Sequence, residues 1–430
     1  MTFYSTDKIY YIITVTILFI CFFVVLKTAY SKLKSGYFSV AFPVIGAMFL
    51  FLGFPIVLDV LFGPPNFRNY RGFYYALQDT RVAVYYNLYI IYTVIIFYIY
   101  IKKIKNRKFS FDTTGFYNTI YRYRRFLWLL LVLPILAVAL SVRPLEYLNY
   151  QAIQLNVDRP FKESHVLVFR FTLLAAVSGA FLFYFLKGKK DFSIIFKYII
   201  FFILMFIAFW VDGKRGIFFK FFFVFLVAGL LMGKIQPKKL WLYLIPGIFI
   251  LTSIVLLYGK DFASNNKYSR DAYSSLRLNV GRDHTIKYTL YKEYVKDEMI
   301  LQHRGQSFLF GLTFFIPRSI WPEKPYPYAV YFVTSVINAP PEPIGWSFTT
   351  CILEEFISNL GFLGLIIAPF FLLWVCKVGD NAKNKFLTII SVVCGVFFLF
   401  TQMAAFMPII LVFIFLLCKE KFSKYKFRLT

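Results

Sequence analysis

The sequence predicts an all-α polytopic membrane protein with about 11 transmembrane helices. Of its 430 residues, 59% are hydrophobic and only 16% are charged, whereas soluble globular proteins average about 45–50% and about 25%. Apolar runs long enough to span a bilayer recur from end to end, and short basic clusters separate them. Too few polar residues remain to cover a soluble surface, so one soluble core is excluded. We interpret residues 1–430 as a single integral membrane domain.

Each apolar run is assigned to one helix, except the last. Residues 27–30 follow the first run, lead toward the next span and show no small-residue cleavage pattern. We therefore interpret the first run as a retained helix and not as a signal peptide. The last run, 386–418, is too long for one helix and is broken by Thr401-Gln402, which predicts a hairpin of two spans. The preceding predicted spans are 9–26, 38–62, 82–101, 126–142, 166–186, 193–211, 217–233, 241–258 and 347–375.

Alternate loops are rich in Lys and Arg, and this alternation predicts the orientation. The densest clusters follow the first, third, fifth, seventh, ninth and last spans. Because cytoplasmic loops carry the excess of Lys and Arg, we expect the N-terminus outside and the C-terminus in the cytoplasm. A net charge of +27 would indicate nucleic-acid binding in a soluble protein. Here the clusters explain it, and no nucleic-acid partner is expected.

A large outer loop, residues 259–346, separates the eighth and ninth predicted spans. Loops of this length without structure are uncommon and usually functional. Apolar residues of 285–301 recur at mostly three- and four-residue steps with Lys and Asp between them, which predicts an amphipathic helix lying on the membrane or packed across the bundle. Repeated Pro in 317–343 forbids a long helix there and favours a rigid, extended segment.

The sequence lacks the motifs of several kinds of chemistry. No Walker loop, GxSxG elbow, HExxH or GxGxxG occurs in a suitable context. The five Cys show no CxxC spacing and the three His no i, i+4 pair, so neither a disulfide framework nor a zinc site is predicted. Short basic cytoplasmic loops leave no room for a nucleotide-binding domain. Any reaction must therefore use a substrate already activated at the outer face, and no cofactor or metal is expected.

Arginines are the most distinctive outer residues. A guanidinium is always charged and binds phosphate oxygens in pairs, so clustered outer Arg side chains suit a pyrophosphate. The alternative is that each one extends to lipid headgroups. For Arg215, in the tight turn 213–216, both interpretations stay open. The candidate pyrophosphate-binding residues are Arg215, Arg282, Arg318 and Lys324.

The same region contains side chains that can act as a base toward a sugar hydroxyl and aromatic side chains that can stack on sugar rings. The candidate bases are Asp283, His284, His303, Glu354 and Glu355. The two glutamates fall inside the ninth predicted span, where a carboxylate is costly unless it faces a polar cavity or still reaches water at a helix end. The candidate sugar-stacking aromatics are Trp321, Tyr326, Tyr328 and Trp346, which otherwise belong to the interfacial aromatic belt.

Several strings in this region resemble a known family. They are Gly305-Gln306-Ser307, then Pro317-Arg318-Ser319-Ile320-Trp321-Pro322-Glu323-Lys324-Pro325, then Glu354-Glu355 and Asn359-Leu360-Gly361-Phe362-Leu363-Gly364. Their order resembles the bacterial oligosaccharide repeat-unit polymerases, the Wzy group. There, a PR-x-x-WP-x-KP stretch late in a large outer loop precedes a helix entered through acidic and Asn-x-Gly-x-x-Gly residues. Residues 212–216 are similar to the group's outer Gly-x-Arg-Gly turn, and the resemblance covers roughly residues 205–365.

The resemblance implies a GT-C-like fold related to O-antigen ligases and a metal-independent glycosyltransferase of the bacterial cytoplasmic (inner) membrane. Such an enzyme joins two undecaprenyl-pyrophosphate-linked oligosaccharides at the outer face, building O-antigen or capsule. It implies that Arg215, Arg282 and Arg318 bind pyrophosphate. The base is not fixed, because the ligases use a histidine and relatives can use a carboxylate. The partners implied are these lipid-linked sugars, membrane lipids, a chain-length regulator and a flippase.

Two alternatives remain from the sequence. An O-antigen ligase moves the same donor onto a lipid A core, and hydropathy does not separate it from a polymerase; the Pro-Arg…Trp-Pro…Lys-Pro string favours the polymerase. A lipid-linked-oligosaccharide flippase belongs to a class that usually shows internal repeats and polar midplane sites on broken helices. The sequence shows no repeat, and its candidate polar residues fall mostly in one outer loop.

Overall fold

In the computed structural model every described element is a helix, as the hydropathy predicts, and no strand occurs within the described ranges. Two of the candidate site residues, Arg215 and Trp346, lie outside those ranges. The described residues are 5–67, 70–104, 113–149, 159–186, 193–213, 216–247, 249, 253, 272–344 and 347–426.

The α-helices are numbered in chain order. The first nine are α1 (Ser5–Lys34), α2 (Ala41–Met48), α3 (Phe54–Phe62), α4 (Arg71–Gln78), α5 (Thr80–Lys103), α6 (Thr113–Ala139), α7 (Arg159–Leu186), α8 (Ser193–Asp212) and α9 (Gly216–Leu231). The others are α10 (Ala272–Val280), α11 (Asp283–Leu290), α12 (Gln306–Leu312), α13 (Tyr328–Ile337), α14 (Ile352–Leu360), α15 (Phe362–Asn381), α16 (Lys385–Phe400) and α17 (Met407–Lys426). One π-helical turn, Phe49–Gly53, joins α2 to α3, and a second, Tyr291–Val295, follows α11.

Seven helical segments within the described ranges are long and apolar enough to cross a membrane. Segments of this length and composition define an α-helical membrane protein. They are Asp7–Lys34, Ala41–Phe62, Thr80–Lys103, His165–Leu186, Ile194–Asp212, Phe362–Asn381 and Met403–Phe422.

The difference from the predicted count has identifiable causes. The predicted span 126–142 falls in α6, whose N-terminal half carries several Arg residues and whose helix ends at Ala139. Both α9 and α16 have 16 residues, fewer than a straight span needs. The predicted span 241–258 extends beyond the described residues. The chain does leave the helix at Thr401-Gln402, where the sequence predicts the hairpin.

The chain divides into two compact units. Unit 1 contains α1–α5, α10–α15, α17 and all but the start of α16, and unit 2 contains α6–α9. Within unit 1, α1 packs along α5, and α11 packs against α4, α5 and α14. Within unit 2, α7 packs against α6, α8 and α9. The candidate site residues that the structure describes all belong to unit 1.

The amphipathic helix predicted at 285–301 is present, but it is shorter and lies inside unit 1. Together, α11 and its π-helical turn end at Val295, and every residue of α11 is buried. Tyr288 packs against Phe73 of α4 and Phe332 of α13, with ring centroids 5.8 Å and 5.5 Å apart. This aromatic contact holds the apolar face of α11. The interpretation that the helix lies on a membrane surface is therefore wrong, because even its polar face is enclosed.

Glycine explains why the ninth predicted span, 347–375, is two helices. Gly361, between α14 and α15, has φ +59° and ψ −133°, a conformation that other residues rarely adopt. Three residues later, α15 passes so close to α14 that a Cβ on Gly364 would overlap the Phe356 carbonyl oxygen and lie 2.7 Å from Ile357 Cα. The Asn-x-Gly-x-x-Gly string is thus a backbone requirement of this sharp turn.

We predict that Gly364→Ala destabilises the protein by about 1–3 kcal/mol, the usual cost of overpacking. The new methyl group meets backbone atoms of α14, which cannot rotate away. Gly46→Ala is the matched control, since a Cβ there has no neighbour within 4 Å and Gly46 lies inside α2. Thermal unfolding of both variants in one detergent checks the prediction. Equal melting temperatures for Gly364→Ala and wild type would contradict the close approach.

Candidate functional site

A cluster of four charged side chains lies at the centre of unit 1. Arg277 of α10 is fully buried, and it donates from Nε and Nη2 to the two carboxylate oxygens of Asp59 at 2.7 and 2.8 Å. It also donates from Nη1 and Nη2 to the carboxylate of Asp283 at 3.0 and 2.9 Å. Lys287 Nζ reaches Asp283 Oδ2 at 2.9 Å, and the Tyr273 hydroxyl donates to Asp59 Oδ1 at 2.6 Å. We call Asp59, Arg277, Asp283 and Lys287 the ion cluster.

The backbone between α10 and α11 is adapted to this cluster. A Cβ on Gly281 would overlap Arg277 Nη1 and lie 2.7 Å from Asp283 Oδ1, so only glycine lets the guanidinium and the carboxylate approach here. Asp283 begins α11 and Lys287 follows four residues later, which places both on one face. The local sequence therefore folds to bring opposite charges together out of water.

Asp283 remains a carboxylate in this setting. Burial alone would raise its pKa, but the charges of Arg277 and Lys287 and the hydrogen bonds of Arg277 outweigh burial and hold the pKa of Asp283 well below its ordinary value. Both of its oxygens accept hydrogen bonds from cations. This carboxylate is thus suited to holding positive charge in place and poorly suited to accepting a proton.

Arg282 is positioned by the π-helical turn that joins α2 to α3. Its backbone N–H donates to the Phe51 carbonyl oxygen at 2.9 Å, and its Nη1 donates to the Gly281 carbonyl at 2.5 Å. The side chain is 7% exposed. Burial lowers the pKa of Arg282 to about 10, while the nearby Glu354 carboxylate opposes that shift. Arg282 therefore stays cationic at neutral pH. π-helical turns such as Phe49–Gly53, which interrupt α-helices, are frequent at functional sites.

His284 lies beside Arg282 but in an apolar enclosure. Its ring meets those of Phe67 and Phe73 edge-on, with centroids 5.5 and 4.8 Å apart, and Nδ1 has no hydrogen-bond partner among the described residues. Burial lowers the pKa of His284 to about 3, so the imidazole is neutral at physiological pH.

Glu354 and Glu355 begin α14 and are both buried, with 0% and 3% exposure. The interpretation that they form a helix end in reach of water is therefore wrong. Glu354 Oε1 accepts from the Cys351 backbone N–H at 2.9 Å and caps the helix. Burial raises the pKa of Glu354 to about 8, and the Arg282 charge is among the influences that oppose the increase.

Glu355 turns to a different neighbour. Its Oε1 accepts from the Ser307 hydroxyl at 2.9 Å, and Ser307 Oγ in turn accepts from Asn359 Nδ2 at 2.7 Å. Burial raises the pKa of Glu355 to about 7, and the Ser307 hydrogen bond opposes this. Glu355 is among the residues that line a small cleft, whose empty space of about 200 Å³ includes open solvent and has no room for a water molecule.

These contacts join strings that are about 50 residues apart in the sequence. The Gly305 N–H donates to the Asn359 carbonyl at 3.1 Å, and Arg304 Nη1 donates to the Ser358 carbonyl at 2.8 Å. Arg304 also forms an ion pair with Glu293, which follows α11, at 2.5 Å. The strings Gly305-Gln306-Ser307 and Glu354…Asn359 therefore meet beside α11.

The remaining candidates lie elsewhere in unit 1. Arg318 donates to the Pro322 and Pro325 carbonyls at 3.1 and 3.0 Å and lies over the Tyr326 ring. Buried Lys324 donates to the Phe314 and Ile316 carbonyls at 3.0 and 2.9 Å. These two cations hold the Pro-rich segment in shape. Trp321 and Tyr326 are half-buried in the same segment, and His303 is exposed in the turn before α12.

Sequence reasoning missed Arg277 and Asp59, the two residues on which the ion cluster depends. Asp59 carried a usable signal: it is the only charged residue of the predicted span 38–62, and a carboxylate inside a span is a functional suspect by default. Arg277 carried none, because Asp59, one of its two partners, lies in another segment of the chain. Within the described residues, no three His, Cys, Asp or Glu side chains lie close enough to hold a metal ion.

Fold and site together define an α-helical membrane protein with a cluster of charged residues, one of which, Asp59, lies in the apolar segment Ala41–Phe62. In comparisons with known proteins, the chain matches no family model, no curated sequence and no solved structure. Function is therefore inferred from the chain's own residues.

Proposed function

We propose that this protein is an oligosaccharide repeat-unit polymerase. It joins two undecaprenyl-pyrophosphate-linked oligosaccharides at the outer face of a bacterial inner membrane, without a metal. The observation that supports the proposal best is the meeting of Gly305-Gln306-Ser307 with Glu354…Asn359 beside Arg282. These two strings thus lie together, with Glu354 near the buried cation Arg282, whereas the Pro-Arg…Trp-Pro…Lys-Pro string lies elsewhere in unit 1.

In this proposal Arg282 stabilises the leaving group. Departure of undecaprenyl pyrophosphate places negative charge on the pyrophosphate oxygens, and a preoriented guanidinium in a dry site lowers the energy of that charge without a metal. The ion cluster fixes the start of α11 and hence the position of Arg282. Because Arg282 is only 7% exposed, donor binding requires the surrounding side chains to move apart. The family resemblance adds Arg215 and Arg318 to the residues proposed to bind pyrophosphate.

The proposal includes an orientation and a wider fold. The protein has about 11 membrane spans, a fold related to the GT-C glycosyltransferases and a cytoplasmic C-terminus. In this orientation residues 259–346 lie on the outer face, where the lipid-linked substrates are presented. A chain-length regulator and a flippase are the proposed protein partners. Lateral access for two polyprenyl chains between helices is consistent with a chain containing 56 Phe.

The direct test is incubation of the purified protein in EDTA with a synthetic polyprenyl-pyrophosphate oligosaccharide. We expect a ladder of products that differ by one repeat unit, because each product is again a substrate. A single transfer onto a lipid A core without a ladder would favour the ligase. Translocation of the lipid-linked sugar without bond formation would overturn the enzyme proposal in favour of transport.

A further inference from the structure

The five candidate bases differ in what their acceptor atoms already do. Asp283 spends both oxygens on cations, and His284 is enclosed by phenyl rings. Glu354 caps the Cys351 N–H. His303 is exposed, in the turn before α12. Glu354 and Glu355 are both buried with one carboxyl oxygen held by a hydrogen bond, and Glu355 also lines a cleft.

The hydrogen bonds around Glu355 have a fixed direction. Asn359 Nδ2 is a donor only, so Ser307 Oγ accepts from it and uses its own proton toward Glu355 Oε1. Asn359 Nδ2 also donates to the Glu355 backbone carbonyl at 2.7 Å. Ser307, held by Asn359, therefore donates to Glu355 Oε1. The second carboxyl oxygen of Glu355, Oε2, is left to take a proton.

The cleft beside Glu355 is built for a hydroxyl-bearing ligand. Apolar and aromatic groups line it, among them Phe310, Tyr328 and Met403, together with the carboxyl group and Gln402. Gln402 Oε1 is a buried acceptor without a hydrogen-bond partner among the described residues. Acceptors set among aromatic walls match the donor groups and the apolar faces of a sugar ring. In this structure the cleft has no room for a water molecule, so binding of a sugar requires its walls to move apart.

We propose that Glu355 takes the proton of the acceptor sugar's hydroxyl, that Ser307 and Asn359 position it, and that the cleft binds the acceptor sugar. This inference rests on the proposed function and assigns its base. The acceptor oxygen forms a bond to the donor's anomeric carbon as the bond from that carbon to the pyrophosphate oxygen breaks. The electron pair leaves with undecaprenyl pyrophosphate, and the hydroxyl proton passes to Glu355 Oε2.

The surroundings of Glu355 allow a pH test. Neither α12 nor residues 402–404 carry a titratable or charged group, and within the described residues only Ser307 forms a hydrogen bond with the Glu355 carboxyl group. The titratable or charged groups on the other packed elements are Tyr328 and Tyr331 on α13, Asp283, His284, Lys287 and Tyr288 on α11, Arg304 before α12, Glu354 on α14, and Cys376, Lys377 and Asp380 on α15. Because burial sets the pKa of Glu355 to about 7 and the carboxylate is the active form, the polymerisation rate should rise as the pH passes through about 7.

Glu355→Gln should lower the rate by about 10²–10⁴-fold, the usual contribution of a general base. Glu298→Gln is the matched control, since the Glu298 side chain is 55% exposed in the same segment of unit 1. Ser307→Ala should shift the rise in rate to higher pH, because the lost hydrogen bond favours the carboxylate. A purely structural role for Ser307 would lower the rate at every pH without moving the profile.

Infrared titration separates the two proposals. The carbonyl bands of protonated carboxyl groups should weaken as the pH rises through neutrality in wild type, and Glu355→Gln should lack the part that titrates near 7 while keeping the part of Glu354 near 8. An undiminished rate in Glu355→Gln, or a Ser307→Ala profile at the wild-type pH, overturns the assignment of the base and leaves the polymerase standing. A wild type that titrates as expected but forms no polymer at any pH overturns the proposed function itself.

Discussion

Arg277→Met should lower the free energy of unfolding by about 3–5 kcal/mol, the usual cost of removing one partner from a buried ion pair. The methionine fills much of the space of the arginine but leaves Asp59 and Asp283 without the four hydrogen bonds that the guanidinium donates to them. Lys287 alone remains beside Asp283. Since Asp283 is fully buried, its charge has no water to replace the guanidinium. Unfolding in mixed micelles, followed by circular dichroism, measures the change.

Arg81→Ala is the control for that variant. Arg81 also forms a two-point contact with a carboxylate, that of Asp79, but its side chain is 62% exposed. Exposed pairs typically contribute about 0–1 kcal/mol. A loss in Arg277→Met no larger than in Arg81→Ala would show that the ion cluster does not hold α3, α10 and α11 together.

Arg282→Ala should leave the protein folded and lower the polymerisation rate by about 10²–10³-fold, the effect of removing one donor that stabilises transition-state charge. The backbone bond from residue 282 to the Phe51 carbonyl survives the change, because it does not involve the side chain. Products should be single repeat units in place of long chains. Gel analysis of the product ladder, with melting temperature as a fold check, measures both effects.

The exposed Lys296 provides the control, since Lys296→Ala removes a cation of the same segment from outside the ion cluster. We expect Arg215→Ala and Arg318→Ala to yield single repeat units as well. In Arg318→Ala the Pro-rich segment also loses the bonds to the Pro322 and Pro325 carbonyls. Full-length polymer from all three Arg variants would discard the pyrophosphate assignment.

Hydropathy was sufficient to predict the seven membrane-length segments found within the described residues, but not the division of 347–375 into α14 and α15 or the helix α13 in the Pro-rich segment. Apolar runs of bilayer length have few alternatives to a helix, because backbone N–H and C=O groups must pair within the segment. The break at Thr401-Gln402 follows from the same argument. The buried position of α11 does not follow from hydropathy. A helix with Asp283 and Lys287 on one face is typical of a surface, unless buried partners for both charges exist elsewhere.

One member of the ion cluster is distant in sequence from the others. Asp59 lies more than 200 residues before Arg277, and each is unremarkable in its own segment. Long-range charge pairing leaves no local pattern, so the sequence predicted which polar residues were candidates but not which were buried together. The same limit applies to Arg318 and Lys324. Nothing local to either cation indicates that its N–H donors are directed to backbone carbonyls.

The most direct test of the account is a mass balance on the purified protein in EDTA. Synthetic polyprenyl-pyrophosphate oligosaccharide is supplied, and released polyprenyl pyrophosphate is counted against new glycosidic bonds by mass spectrometry. We predict one molecule released for each bond formed, with both quantities falling together in Arg282→Ala. Bond formation that requires an added metal, or sugar moved across the bilayer with no carrier released, would contradict it.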